Sequence, residues 1–250
     1  MARPRLTTGR YIGCLAGWTV FSTSVVLALN LDPARPVARA VILMGAGLVL
    51  LWVIVGGTLM RLQRGRARAL IRSLPGGWQV KFVLLCTLLA LAEEAITVMM
   101  TNCAPLFGVP LGKAYITSSA NYLDVVCFHS VVTFVPWFIC WAWLLSRLDF
   151  HPSAVFLLFG ATGTLAEMSF GGPQHLAEYG MWTFVYGLMV YLPAYSVPSG
   201  RGARQPKWWH YPAAVFAPFL FMVLLFPFGF VKQYVHGPTD IHFPPIAPGT

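Results

Sequence analysis

The chain has 250 residues, 57% of them hydrophobic and only 10% charged, with a formal net charge of +9. Ordinary soluble domains carry about 25% charged residues. With a mean hydropathy of +0.68 and repeated apolar runs near the ~20 residues of a crossing helix, this composition excludes a soluble globular domain and predicts an all-α polytopic membrane protein.

Seven spans are predicted in chain order: 11–30, 40–60, 80–101, 122–145, 154–171, 181–197 and 213–231, with an extended tail over 232–250. They form one bundle, because no stretch is polar and long enough to fold as a separate soluble domain. The first run is read as a retained span rather than a signal peptide, since it is long and Trp18 interrupts it. Arg3, Arg5 and Arg10 precede it. Arg61, Arg64, Arg66, Arg68 and Arg72 follow the second span, and Arg201, Arg204 and Lys207 follow the sixth. Seven crossings put these three groups on one side, which the bias of Lys and Arg toward the cytoplasm identifies. The N-terminus is therefore expected in the cytoplasm and the C-terminus outside, in the cell membrane. The opposite linkers hold only Arg35, Arg39 and Lys113. The positive charge thus orients the chain and is placed to meet anionic lipid head groups; it does not indicate nucleic acid. Linker 102–121, with Pro105, Gly108, Pro110 and Gly112, reads as a surface loop, with re-entry between helices as the alternative.

Cys14, Cys86, Cys103, Cys127 and Cys140 contain no Cys-x-x-Cys spacing, so neither a disulfide framework nor a cysteine zinc site is indicated. Nucleotide-binding glycine motifs, His-Glu-x-x-His and Gly-x-Ser-x-Gly are also absent. The last span has no lysine before Lys232, which argues against a retinal protein. His236 and His242 in the tail give only a weak metal spacing. The tryptophans read mainly as interfacial belts, whereas Tyr186, Tyr191 and Tyr195 are candidates to line a cavity.

The informative residues are acids inside apolar runs. Of eight acidic residues, Glu93, Glu94 and Glu167 fall well inside spans, with Asp124 at the outer edge of span four; an acid costs about 2.5–3.5 kcal/mol at a helix centre and marks a candidate functional site. The predicted topology puts all three in the outer half, level with His129 of span four. Glu94 shares a helical stripe with Thr87, Ala90, Thr97 and Thr101, and Glu93 a more apolar one with Cys86, Leu89 and Met100. Glu94 is therefore expected to be the inward acid and Glu93 its neighbour. Glu167 follows Gly160, Gly163 and Thr164, a small-residue face suited to close helix packing. His129 aligns with Val125, Thr133 and Pro136, and Pro136 frees a backbone carbonyl. Clustered buried carboxylates cannot all ionise cheaply, so they exchange protons as one unit, and His129 is suited to relay one.

Three chemistries fit this set: acid–base catalysis on an apolar substrate, a carboxylate and histidine metal site, and proton or cation translocation. A purely structural hydrogen-bond network is the fourth reading. The Glu-Glu pair followed by His129 is similar to glutamate-type intramembrane proteases of the CPBP family, but Val98 and Val125 stand where that pattern has Arg and Phe. Glu94, Thr101, the Pro105–Gly108 run and Tyr115 resemble membrane carotenoid hydratases and cyclases, with different spacing. Neither resemblance carries a catalytic residue over.

The leading expectation is a membrane-embedded enzyme acting on a lipid or isoprenoid-like substrate. Glu94 serves as acid and base, Glu93 and Glu167 tune its proton affinity, and His129 relays or positions. The alternatives are a proton- or cation-coupled transporter or channel, and a non-catalytic subunit with membrane-protein partners. Cofactor and metal stay unassigned.

Overall fold

In the computed structural model, residues 8–30, 32–225 and 227 are described. Of the described residues 79% are helical, and no strand occurs among them. Four helical stretches are long and apolar enough to cross a membrane, Thr8–Leu29, Pro36–Ser73, Trp78–Asn102 and Tyr122–Arg147, which fits a membrane protein. The tail over 232–250, with His236 and His242, and the end of the seventh predicted span lie outside the described residues, as do Arg3 and Arg5.

Helix α1 (Thr8–Leu29) buries only Leu15 and Thr19. The second predicted span is much longer than 40–60. α2 (Pro36–Leu48) passes through a π-helical stretch, Val49–Gly56, into α3 (Gly57–Ser73). The basic linker expected after residue 60 is therefore helical to Ser73. At ~1.5 Å per residue the whole rod exceeds a hydrocarbon core of ~30 Å, so its arginine-rich end must project past the apolar zone. That end is held by neutral partners on a later helix, α8 (Tyr179–Ser196). Arg64 and Arg68 lie over the Tyr195 ring at 5.3 and 5.5 Å, and Arg72 donates to the carbonyls of Ser196 and Val197.

α4 (Trp78–Asn102) follows the predicted third span closely. The fourth span is one run in sequence but two helices in space, α5 (Tyr122–Phe128) and α6 (Ser130–Arg147). The break falls on His129, at φ −129 and ψ −91, about two turns before Pro136. α5 is pinned at its start, which explains the position. Asn121 caps the N–H groups of Leu123 and Asp124, and the Tyr122 hydroxyl donates to the Leu91 carbonyl at 2.9 Å. The chain must then turn to bring α6 alongside α4, and the Thr133 hydroxyl takes the His129 carbonyl at 2.5 Å.

α7 (Pro152–Gly171) and α8 are not among the four long apolar stretches, yet they form the most intimate pair in the bundle. α8 buries 13 of its 18 residues. The small residues of α7 permit this approach. A Cβ on Gly163 would sit 2.1 Å from the Tyr186 ring, and one on Gly160 would sit 2.7 Å from the Thr183 Cα. α9 (His210–Phe221) packs on α6 and α7. A short turn before α9 is clasped to the α6–α7 junction, where Arg201 pairs with Asp149 at 2.6 Å and donates to the Leu145 carbonyl.

Linker 102–121 is neither a plain loop nor a hairpin between helices. It folds as a cap over the end of α4. Thr101 accepts from the Ile116 N–H, Asn102 donates to the Ala120 carbonyl, and Ala104, Val109 and Ala114 are buried against Ala40 and Met44 of α2. The bundle thus has a capped end, where α4 and α7 finish, and a basic end, where α3, α6 and α8 finish.

Replacing Gly163 with Ala is expected to lower stability by roughly 1–3 kcal/mol through overpacking, read as melting in detergent. The control Gly65→Ala, which meets nothing within 4 Å, should be neutral or stabilising. Equal melting of Gly163→Ala and the parent protein would contradict the packing argument.

Candidate functional site

Glu93 and Glu94 come from the last third of α4, His129 from the α5–α6 break and Glu167 from the last turn but one of α7. All four line one cavity of about 1030 Å³. α1 and α2 form one wall, and α4, α6, α7 and α8 the other. Tyr115–Ser118 of the cap and residues 174–178 after α7 contribute to the rim.

Both members of the Glu-Glu pair are buried, at 4% and 5% exposure, and both face this space. Their partners differ from the expected stripe. Thr97 donates to Glu93 Oε1 at 3.0 Å, because the turn between them is an i, i+4 relation; Thr97 was assigned from the sequence to Glu94. The Glu94 carboxylate instead meets Ser130, the first residue of α6. Its Oε2 is buried and takes no hydrogen bond from any described residue. The helix break at His129 is what brings Ser130 there, and nothing in the sequence marks that break.

Glu167 Oε1 accepts from the Tyr186 hydroxyl at 2.5 Å. The Tyr186 ring rests over Gly163, one turn before Glu167, so the same missing side chain that lets α8 approach also aims the phenol. Each of the three carboxylates has a hydroxyl neighbour, and Glu167 lies within electrostatic reach of both Glu93 and Glu94. His129 and Thr133 line the same cavity. Asp124 is buried on α5 but does not line the cavity.

Nearer the rim lies a second polar group. His175 Nδ1 is 2.8 Å from Glu178 Oε2, which also accepts from the Trp182 indole at 2.9 Å. The His175 ring packs against Trp182, with centroids 5.6 Å apart. Burial pushes the phenol of Tyr115 up, so it remains a neutral donor. The sequence put His175 and Glu178 in a linker, with no sign that they reach the same space.

Among the described residues, no lysine or arginine lines the cavity. Its polar chemistry is carboxyl, hydroxyl and imidazole, set among Phe134, Trp137, Trp182 and Met189. Buried, tightly packed residues lie on the same helices beyond the acids. One turn deeper the same helices place Ala90, Cys86 and Trp141, each at 0% exposure, and the rings of Phe138 and Phe159 close against each other at 5.6 Å. α1 is the least buried of the four long apolar stretches. Thr19, near its middle, touches Gly180 in the first turn of α8, and its second half lines the cavity with Ser22, Thr23 and Val26. Among the described residues, no three His, Cys, Asp or Glu side chains are arranged to hold a metal ion.

The Tyr186–Glu167 bond is testable by a double-mutant cycle. Tyr186→Phe and Glu167→Gln should each lower stability, and their coupling should be roughly 1–2 kcal/mol in melting experiments. Strictly additive losses would contradict the bond.

Comparison with protein-family models, with curated proteins and with solved structures finds no match to this chain.

Proposed function

We propose that the protein is a membrane-embedded enzyme that performs acid–base chemistry on a lipid or isoprenoid-like substrate held in the cavity. One observation carries this reading: Glu93, Glu94, Glu167 and His129, with His175 and Glu178 nearer the rim, line a single large space whose other walls are mainly aromatic, aliphatic and hydroxyl side chains. A volume of about 1030 Å³ lies at the top of the range for small-molecule sites and suits a long apolar molecule.

Glu94 is the proton donor and acceptor in this proposal, since one of its oxygens is buried and uncommitted. Glu93 and Glu167 set how readily it holds its proton. Their hydroxyl partners keep the cluster hydrogen-bonded in either protonation state. His129, in the same cavity wall, is the relay or positioning group. Because no Lys or Arg among the described residues lines the cavity, the proposed reacting part of the substrate is uncharged rather than a phosphate or carboxylate. Entry is lateral, past the sparsely buried α1.

The packing of Ala90, Cys86 and Trp141 favours this reading over a proton or cation pathway. A conduction path would have to continue through Ala90, Cys86 and Trp141, which are tightly packed. The aromatic and acidic lining is more than a scaffold subunit requires, which places that reading third.

The proposal retains seven crossings in the cell membrane, with the basic end in the cytoplasm and the cavity in the outer half. The gathering of Arg64, Arg68, Arg72 and Arg201 at one end of the bundle supports it through the positive-inside rule. A reporter inserted in the cap at Lys113 should read as external, and one inserted at Gly202 as cytoplasmic; the same side for both would refute the topology.

Glu94→Gln should leave the protein folded in detergent but reduce turnover of a membrane lipid or isoprenoid extract by at least ~100-fold, with products followed by mass spectrometry. Full activity in that variant would sink the proposal.

A further inference from the structure

We propose a second, separate binding site at the basic end: a pocket between α3, α4 and α8 that holds the phosphate of an anionic lipid. The pocket measures about 220 Å³ and is lined by Arg72, Lys81, Trp78, Phe82, Leu85 and Pro193, among others. It does not depend on the chemistry assigned to the large cavity.

Charge is the first argument. No Asp or Glu occurs between Asp32 and Glu93, so the whole segment that builds α2, α3 and most of α4 has cations and no acid. Among the described residues, the ion pairs are Arg201 with Asp149 and His175 with Glu178; Arg72 and Lys81 join neither. Arg64 and Arg68, on the same face of α3, are likewise held by the tyrosine rings of α8. The positive field around the pocket is therefore uncompensated by protein.

Donor geometry is the second. Arg72 uses Nε on the Ser196 carbonyl and Nη2 on the Val197 carbonyl. Lys81 donates to the Leu74 carbonyl. These bonds fix both side chains at the pocket while leaving donors over, because a guanidinium has five N–H groups and an ammonium three. Two pre-positioned cations with spare donors are suited to a phosphate.

The walls decide which phosphate. Trp78, Phe82, Leu85 and Pro193 are apolar, and the adjoining surface of α4 presents Val80 and Leu84 at 60% and 64% exposure. That surface continues from the pocket along a helix long enough to cross a membrane. A phosphate at Arg72 and Lys81 would thus have its acyl chains on Val80 and Leu84, which a free phosphate ion lacks.

The test uses the purified, delipidated full chain with phosphatidylglycerol, phosphatidylcholine of the same acyl chains, and inorganic phosphate, with binding read by native mass spectrometry. Phosphatidylglycerol should bind about tenfold or more tightly than phosphatidylcholine. Arg72→Gln with Lys81→Gln should abolish that preference, and Arg72→Lys with Lys81→Arg should keep it, which separates lost charge from lost fold. The single variant Lys81→Gln, whose side chain makes one tether only, should weaken the preference severalfold. Equal binding of the two lipids, or an unchanged preference in the glutamine variants, would overturn the site. Displacement of phosphatidylglycerol by millimolar inorganic phosphate would overturn the lipid assignment and leave a soluble anion as the ligand.

Discussion

Three carboxyl groups inside an apolar bundle have to be given partners, and much of the structure follows from how this is done. An unsatisfied polar group away from water costs several kcal/mol by transfer measurements. Glu93 takes Thr97 from its own helix, Glu167 takes Tyr186 from α8, and Glu94 meets Ser130 at the start of α6. The second requires Tyr186 to lie flat over Gly163, and hence requires α7 and α8 to approach closely. The third requires the helical run 122–147 to break at His129. Close packing of one helix pair and interruption of another are thus two consequences of housing acids.

Polar side chains are segregated along the bundle. Acids, imidazoles and hydroxyls gather around the large cavity near the capped end, and no lysine or arginine among the described residues lines it. Cations gather at the other end, where Arg201 pairs with Asp149 and the arginines of α3 are tied down by carbonyls and the Tyr195 ring rather than by carboxylates. Neither set neutralises the other. The arrangement keeps protons available in the cavity, where an arginine would have held a carboxylate permanently charged. It also leaves positive charge at the end that the proposed topology places against the anionic inner leaflet.

Much of this was legible in the sequence, and the failures have physical causes. Helix positions were readable because each apolar run is long, and α4 and α7 begin and end within two residues of expectation. The small-residue face before Glu167 correctly indicated an inward acid, since Gly160 and Gly163 leave room for only one kind of neighbour. The pairing of Thr97 was not readable: it stands at i+3 from Glu94 and i+4 from Glu93, and helical periodicity does not separate the two. The break at His129 was hidden because Pro136 carries the stronger local signal, while the cause, the tether from Tyr122 to the Leu91 carbonyl, joins residues 31 apart. The helical extension to Ser73 was read as linker because it is polar, though arginine, leucine and glutamine are good helix formers. His175 and Glu178 reach the cavity only through the fold of the turn after α7.

The central claim is that the acid-lined cavity is a binding chamber for a long apolar molecule. The most direct measurement is an experimental structure of the protein in lipid nanodiscs supplied with a membrane lipid and isoprenoid extract. The account predicts elongated density within the cavity, with one atom within hydrogen-bonding or contact distance of the Glu94 carboxyl and a closed floor at Ala90, Cys86 and Trp141. A cavity filled by its own side chains, or a water-filled path running past that floor to the basic end, would contradict it.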